Sequence, residues 1–224
     1  MNAPVLAIDG PSGSGKGTIS RRVAAKLGWH HLDSGALYRV LAHAAAEAGL
    51  DATEPARIAA LVPGLDIRFI PDGEEGRILL NGADVTAAVR SEACGNAASK
   101  IAGHGEIRAA LAALQRRFRQ PPGLVADGRD MGTVIFPDAE VKVFLTASAR
   151  ERAERRYKQL NKKGLSGSLE RLLQDLEERD RRDAERAIAP LMSAADALVL
   201  DTTGMTIDAV VAAVLHYFDK RIGR

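Results

Sequence analysis

The sequence predicts an α/β protein built on a doubly wound parallel sheet of about five strands, with helices on both faces. Three observations favour this class. Short apolar runs alternate with longer segments of helical period. Several runs end at or beside Asp or Gly, at the edge where ligands collect in such sheets. A glycine-rich loop joins the first run to a helix. The predicted strands are residues 5–9, 29–32, 124–127, 141–145 and 197–201.

One region interrupts the alternation of strands and helices. Residues 65–85 hold two strand-like runs joined by the turn PDGEEG, which predicts a small antiparallel insertion, and the alanine-rich residues 87–113 beyond it are predicted to be helical. Elsewhere, leucines at positions 169, 172, 173 and 176 and the apolar residues of 207–218 indicate helices that face a core. We therefore place an inserted subdomain at residues 62–105, within a core formed by residues 1–61 and 106–224.

Composition excludes several classes of function. The 31 Lys and Arg residues nearly cancel the 29 Asp and Glu residues, which argues against bulk binding to nucleic acid or to an anionic membrane. Aromatic residues make up only 4% of the chain, too few for a platform that stacks bases. The single cysteine, Cys94, forms no internal disulfide, and no segment resembles a signal peptide or a membrane span. We expect a cytoplasmic protein without nucleic-acid or membrane partners.

Arginine is over-represented among the cations, with 23 Arg against 8 Lys. The arginine guanidinium is a planar fork that binds phosphate and carboxylate through two hydrogen bonds. This excess favours a protein that handles phosphate groups.

The most specific motif is the loop GPSGSGKGT, which lies between the first predicted strand and a helix. In such a loop successive backbone N–H groups point at a phosphate, the helix dipole adds positive charge, and the lysine reaches the β- and γ-phosphates of a nucleotide. The residues predicted to bind the phosphates of a nucleotide here are Gly10, Pro11, Ser12, Gly13, Ser14, Gly15, Lys16, Gly17 and Thr18.

The loop departs from the strict pattern GxxxxGK[ST], because Gly17 stands where a hydroxyl would follow the lysine and Thr18 comes one place later. We expect Mg²⁺ to accompany the nucleotide, held by its phosphates, by water and by an acid such as Asp9 or Asp33, and we assign no direct protein ligand. Thr18 is expected to hydrogen-bond a phosphate.

Other chemistries lack their motifs. The chain has no NKxD segment for guanine, no GxSxG elbow, no HExxH and no GxGxxG, and its five histidines show no ligand spacing. The adjacent His30 and His31 point to opposite faces of a predicted strand and are interpreted as structural.

Several segments together resemble the bacterial cytidylate kinases. They are GPSGSGKGT, LDSGALYR, NAASK, ADGRDMGTVIFPDA and ERDRRDAERAIAPL, and the similarity spans nearly the whole chain. The resemblance implies a P-loop kinase that transfers the γ-phosphoryl group of ATP to CMP or dCMP in pyrimidine nucleotide metabolism. It also implies a monomer, a monophosphate-binding insertion and a short helical lid at about residues 150–167.

An acceptor phosphate that approaches ATP needs fixed cations around it. By resemblance, Arg39 and Arg129 hold the acceptor phosphate, whereas Arg179 and Arg186 approach the acceptor sugar and the phosphates. Arg179 and Arg186 are seven positions apart, so a continuous helix would place them on one face. The resemblance also places Ser34 and Asp183 at the acceptor nucleotide.

The base of the acceptor can be predicted from its hydrogen-bonding edge. Cytosine offers an amino donor beside two acceptors, so its site needs a carboxylate together with a cation or a hydroxyl. Asp130, Arg108 and Ser99 match the family positions with these roles. Uracil would place an oxygen against the carboxylate, so we predict that CMP and dCMP are used far better than UMP.

The segment from Arg150 to Arg186 carries nine arginines, part of which pair with glutamates on solvated helices. The functional interpretation is a lid that closes over ATP through Arg152, Arg155 and Arg156, with NKKGLSG as its tip. The predicted catalytic residues are Lys16, Arg129, Arg155, Arg156, Arg179 and Arg186.

Two questions remain open on the sequence. Asp127, at the end of a strand, belongs among the predicted CMP-site residues, but it either takes part in catalysis or only orients arginines. The acceptor is alternatively UMP, AMP or a small metabolite such as shikimate, and a P-loop NTPase switch is the alternative from another class.

Overall fold

A computed structural model describes residues 2–70, 76–162, 164 and 167–223. In chain order the elements are β1 (Val5–Asp9), α1 (Lys16–Leu27), β2 (His30–Asp33), α2 (Ser34–Glu47), α3 (Pro55–Leu61), β3 (Ile67–Ile70), β4 (Arg77–Leu80), β5 (Ala83–Asp84), α4 (Thr86–Arg90), α5 (Glu92–Ile101), α6 (Gly105–Arg116), β6 (Leu124–Gly128), β7 (Val141–Thr146), α7 (Ala149–Lys162), α8 (Leu169–Ala184), β8 (Leu198–Asp201) and α9 (Ile207–Ile222). They form two compact units, residues 1–33 with 115–224 and residues 34–114.

The first unit contains the predicted parallel sheet. Its five strands lie in the order β2-β6-β1-β7-β8, and every neighbouring pair is parallel. The first strand, VLAID, lies at the centre of the sheet and is buried along its whole length. The doubly wound class and the five predicted strands are confirmed, with ends that differ by no more than one residue.

A core on one face of this sheet is shared with α1 and α9. Leu6 and Ile8 of β1 pack there with Val23 of α1 and Phe218 of α9. A single wide helical turn, Met131–Ile135, follows β6, and a Cβ on its Gly132 would lie 3.5 Å from the Ala7 Cβ. Because these elements cover the faces of the sheet, the carboxyl ends of its strands remain open to the loops that follow them.

A separate hairpin of α7 and α8 packs around its own apolar cluster, which includes Ala153, Leu172 and Leu176. The predicted lid corresponds to α7 and the connection to α8. Part of its NKKGLSG tip, residues 163, 165 and 166, falls outside the described residues.

The second unit contains the predicted antiparallel insertion as the sheet β3-β4-β5, in which Ile67 pairs with Leu80. Its short third strand was not predicted, and residues 71–75 of the PDGEEG turn lie outside the described residues. The alanine-rich segment is helical as predicted, but it is divided into α4, α5 and α6. The predicted subdomain, residues 62–105, lies wholly within this wider unit, and its role as a functional domain stays a prediction.

Among the described residues, none of the helices combines the length and the apolar character that crossing a membrane would require.

Candidate active site

The predicted phosphate loop leaves the centre of the sheet and ends at the first turn of α1. Gly13 and Gly15 have positive φ angles of 76° and 90°, which glycine adopts without strain. Gly10 is constrained by space as well, because a Cβ there would lie 2.0 Å from the backbone oxygen of Leu145 in β7. The glycines of the motif are therefore needed to bring the loop close to its neighbours.

Lys16 is almost completely buried at the start of α1, with 6% of its surface exposed. Its Nζ donates a hydrogen bond to the backbone oxygen of Pro11 at 2.8 Å, so the side chain folds back over the loop. Burial and the nearby Arg129 charge lower its pKa to about 7, against the opposing attraction of neighbouring carboxylates. A polyphosphate placed in the loop would favour the charged form of this lysine.

Asp9, the last residue of β1, connects the loop to the segment after β6. Its two carboxylate oxygens accept hydrogen bonds of 2.8 Å from the backbone N–H groups of Met131 and Gly132. Burial and the charge of Asp130 raise the pKa of Asp9 to about 7, although these two hydrogen bonds and Lys16 act in the other direction. The turn that follows Asp130 is thereby held at the origin of the phosphate loop.

Asp127 lies beside the first turn of α1 in a network of buried polar groups. The Ser20 hydroxyl lies 2.9 Å from Asp127 Oδ2 and 3.0 Å from His31 Nε2. Burial acts to raise the pKa of Asp127, but His31 at 3.6 Å and the Lys16 ammonium outweigh it and hold this pKa below its usual range. His30 Nε2 lies 2.9 Å from the Pro121 oxygen, and the structural interpretation of both histidines stays a prediction.

Gly17 lies beside Asp127, and a Cβ there would make only ordinary contacts. A Cβ at this residue would lie 3.5 Å from Asp127 Oδ2 and 3.5 Å from Arg21 Nη1. The carboxylate of Asp127 therefore lies near the place where the hydroxyl of the strict motif would project.

The acids at this edge suit a magnesium ion that is carried by a nucleotide. Within the described part of the chain, no three His, Cys, Asp or Glu residues are grouped as a metal site. Magnesium typically binds one or two carboxylates together with substrate phosphates and retains several waters. Asp127 fits this role better than Asp9, because both oxygens of Asp9 already accept backbone hydrogen bonds.

The predicted acceptor arginines of the first unit gather around Asp183, near the end of α8. Arg129 Nε donates to Asp183 Oδ2 at 2.8 Å, and Arg186 Nε donates to the Asp183 backbone oxygen at 3.3 Å. Burial acts to raise the pKa of Asp183, but Arg129, Arg186 and Arg179 hold it below its usual range. The helix is not continuous from 179 to 186, because α8 ends at Ala184, so the condition for Arg179 and Arg186 to share one helix face is not met.

Two of the predicted lid arginines contact the phosphate loop through main-chain oxygens. Arg152 Nη1 donates to the Ser12 oxygen at 2.9 Å. Arg155 Nη1 donates to the Ser14 oxygen at 3.4 Å, and its Nη2 donates to the Thr202 oxygen at 2.6 Å. Arg156 hydrogen-bonds Gln159 within α7 at 3.3 Å. Their contacts with ATP stay predictions.

The remaining predicted acceptor residues fall in the second unit. Arg39 Nη1 donates to the backbone oxygens of Val89 and Ser91 at 2.8 and 3.0 Å. Arg108 is buried, donates to the Ala102 oxygen at 3.3 Å and lies over the Tyr38 ring at 5.9 Å. The other two are Ser34, buried at the start of α2, and Ser99, whose buried Oγ has no hydrogen-bond partner among the described residues.

Sequence reasoning missed three residues that support these groups. Ser20 binds Asp127, Asp180 binds Arg152, and Gly95 leaves room for the Arg39 guanidinium. Ser20 could have been found from its position one turn after Lys16 on a buried helix face. The other two depend on contacts between segments distant in sequence.

The family model of cytidylate kinase matches residues 6–220. The chain belongs to the cytidylate kinase family. Among its curated relatives, the cytidylate kinase of Aeromonas salmonicida (strain A449) is 57% identical over 99% of this chain and 96% of that protein. The cytidylate kinase of Nitrosococcus oceani is 55% identical over 97% of each chain.

One solved structure agrees on the fold. The crystal structure of an uncharacterized protein from Eubacterium ventriosum superposes with a TM-score of 0.54 at 11% identity, and the match covers 97% of this chain and 99% of that one. At this identity the likeness concerns the fold alone.

Proposed function

We propose that this cytidylate kinase family member transfers the γ-phosphoryl group of ATP to CMP or dCMP and releases ADP with CDP or dCDP. One structural observation carries the proposal. Asp9 binds the turn after Asp130, so a buried carboxylate suited to the cytosine amino group lies at the strand end from which the phosphate loop begins. The membership of the family and the near-full-length similarity to its curated members support the same activity.

The mechanism requires positioning and charge stabilisation more than proton transfer. The second pKa of a phosphate monoester is about 6, so the CMP phosphate is mostly a dianion at neutral pH and attacks in line without a general base. Lys16 would contact the donor phosphates, and Arg129, Arg179 and Arg186 would compensate the charge that accumulates between donor and acceptor. Magnesium bound with ATP would supply further charge neutralisation, and Asp127 would hold it through its waters.

The remaining residues divide between those that bind the donor and those that bind the acceptor. The backbone N–H groups of residues 10–18 would hold the ATP phosphates, and closure of the lid would exclude water and suppress ATP hydrolysis. The family resemblance supports Arg39, Arg108, Ser34 and Ser99 as further residues that bind the acceptor. We further propose a cytoplasmic protein without nucleic-acid partners, on the basis of the near-neutral composition and the lone cysteine, and the family resemblance supports a monomer.

A coupled assay of ADP release across CMP, dCMP, UMP, AMP, GMP, dTMP and shikimate tests the proposal. We expect turnover with CMP and dCMP far above that with any other acceptor. Comparable turnover of UMP would contradict the assignment of the base-reading carboxylate. Steady ATP hydrolysis without an acceptor would favour an NTPase switch instead.

A further inference from the structure

Helix α8 presents two acidic side chains that bind arginines from different parts of the first unit. Asp183 Oδ2 accepts a hydrogen bond from Arg129, which follows β6, at 2.8 Å. Asp180 Oδ2 accepts one from Arg152 of α7 at 2.5 Å. Residues three apart share one face of a helix, so both pairs lie on the same face of α8. This face is therefore attached at two points to the rest of the unit.

The guanidinium of Arg152 joins three segments of the chain. Its Nε donates to the Ala147 oxygen after β7 at 3.0 Å, its Nη1 to the Ser12 oxygen of the phosphate loop at 2.9 Å, and its Nη2 to Asp180. Only 4% of the residue is exposed. A Cβ on Gly13 would lie 3.1 Å from the Arg152 Cβ, so the loop packs directly on this side chain. Each edge of the guanidinium is directed at a protein oxygen.

Asp180 supplies the negative charge for this buried cation. Its side chain is 26% exposed and that of Arg152 is 5% exposed, so solvent screens the pair only in part. Without the carboxylate, Arg152 would retain the two main-chain oxygens but would no longer bind α8. The helix would then lose the link to the phosphate loop that Arg152 provides.

We propose that Arg152 and Asp180 are positioning residues, which fix α8 on the phosphate loop and so set the distance between Lys16 and the cations near the end of that helix. Arg179 directly precedes Asp180, and Arg186 is bound to Asp183 on the same face. In this role, neither member of the pair contacts the reacting atoms. This role replaces the expectation that Arg152 contacts ATP, and it rests on the proposed kinase activity.

A positioning role has a characteristic kinetic signature. The spacing between the loop and the α8 cations matters most when charge develops on the transferred group, and much less when either nucleotide binds alone. Loss of the pair should therefore lower kcat and kcat/KM together and leave the KM values for ATP and CMP nearly unchanged.

The experiment compares Asp180→Asn, Arg152→Lys and the double variant in the full chain. Asparagine preserves size, and lysine keeps a charge but cannot contact three oxygens in a fork, so the variants are expected to fold. We expect about a tenfold or greater loss of kcat in each single variant, KM values within about twofold, and no further loss in the double variant. Glu154→Gln is the control, because it removes the exposed Arg150–Glu154 pair of α7 and should keep the wild-type kcat.

Hydrogen exchange gives a second readout that does not require activity. Asp180→Asn should speed amide exchange in the second half of α8, whereas Glu154→Gln should not. Unchanged exchange, a wild-type kcat in Asp180→Asn, or losses that add in the double variant would each overturn the proposal. An ATP KM that rises at constant kcat in Arg152→Lys would make Arg152 a nucleotide ligand instead. A wild-type chain that phosphorylates no acceptor would contradict the proposed function, and the exchange data would still decide whether the pair holds α8.

Discussion

Arg129 and Asp183 form an ion pair of 2.8 Å that joins the end of the central sheet to α8. The side chains are 21% and 7% exposed, so each charge depends on the other. Removing one partner of a buried pair leaves an uncompensated charge, and we expect Asp183→Asn to lower the free energy of unfolding by about 2 kcal/mol or more. Urea denaturation measures this loss, with Asp175→Asn on the same helix as the control that should retain wild-type stability.

The same pair predicts how stability responds to acid. The pKa of Asp183 is held below its usual range, so its contribution is present above the unfolded-state pKa of about 4 and is lost as the pH falls through the folded-state value. The stability difference between wild type and Asp183→Asn should therefore shrink below about pH 4. A difference that stays constant from neutral pH down to acid unfolding would contradict this origin.

Lys16 predicts that nucleotide binding takes up protons. Burial and Arg129 lower its pKa to about 7, so the free lysine is partly neutral at pH 7 to 8, and phosphates beside it would restore its charge. We expect ADP, in the absence of magnesium, to bind with fractional proton uptake in this range, measured by titration calorimetry in buffers of different ionisation enthalpy. Lys16→Arg keeps a permanent charge and should reduce the uptake. Equal uptake in both proteins would assign it to another group, such as Asp9.

Asp130 predicts the choice of base. We expect Asp130→Asn to lower kcat/KM for CMP by about a hundredfold or more, since a site built around one hydrogen-bonding edge loses most when its partner is altered. UMP should lose much less, because the new amide can donate to the uracil oxygen. Asp138→Asn, at an exposed acid that binds Arg119, is the control and should keep the preference. An unchanged ratio of CMP to UMP in Asp130→Asn would refute the proposed role.

Gly95 leaves the space that Arg39 occupies in the second unit. A Cβ there would lie 2.5 Å from Arg39 Nη2, closer than any ordinary contact, so Gly95→Ala should displace the guanidinium from its hydrogen bonds to Val89 and Ser91. We expect a KM for CMP raised about tenfold, with the KM for ATP unchanged. Gly103→Ala is the control, because the nearest atom to a Cβ there lies 3.6 Å away. Equal effects on both nucleotides would argue against a role in acceptor binding.

Much of the fold could be predicted because its signals are local. The strands 5–9 and 124–127 are continuous apolar runs that end at Asp or Gly, so the sequence shows both the type of element and the place where it ends. The alanine-rich segment 87–113 lacked such a signal, since composition alone does not show that Ser91 caps a new helix by accepting from the Cys94 N–H group. The strand β5 spans only two residues and is too short for any periodicity to show.

The residues of the candidate site could be named from motifs, but their partners could not. Arg152 lies within an arginine-rich helix whose spacing is equally typical of solvated ion pairs, and its carboxylate partner Asp180 is 28 residues away. A continuous helix would have placed Arg186 on the same face as Arg179, yet Arg186 reaches Asp183 from beyond the end of α8. Such pairings depend on how α7 and α8 pack, which no local pattern specifies.

Two buried serines near Lys16 allow the structural and nucleotide-binding roles to be separated. Ser20 is fully buried and donates to Asp127 at 2.9 Å, so Ser20→Ala should cost about 1 to 2 kcal/mol of unfolding free energy by leaving a buried carboxylate short of a donor. Ser14 is 1% exposed, and its Oγ has no hydrogen-bond partner among the described residues. Removing this hydroxyl breaks no hydrogen bond within the described part of the free protein, so Ser14→Ala should leave stability nearly unchanged. We expect the hydroxyl to bind a phosphate of the nucleotide, so the same variant should weaken ADP binding. Thermal unfolding and ADP titration of both variants measure these effects, and a Ser14→Ala protein that is less stable but binds ADP normally would reverse the assignment.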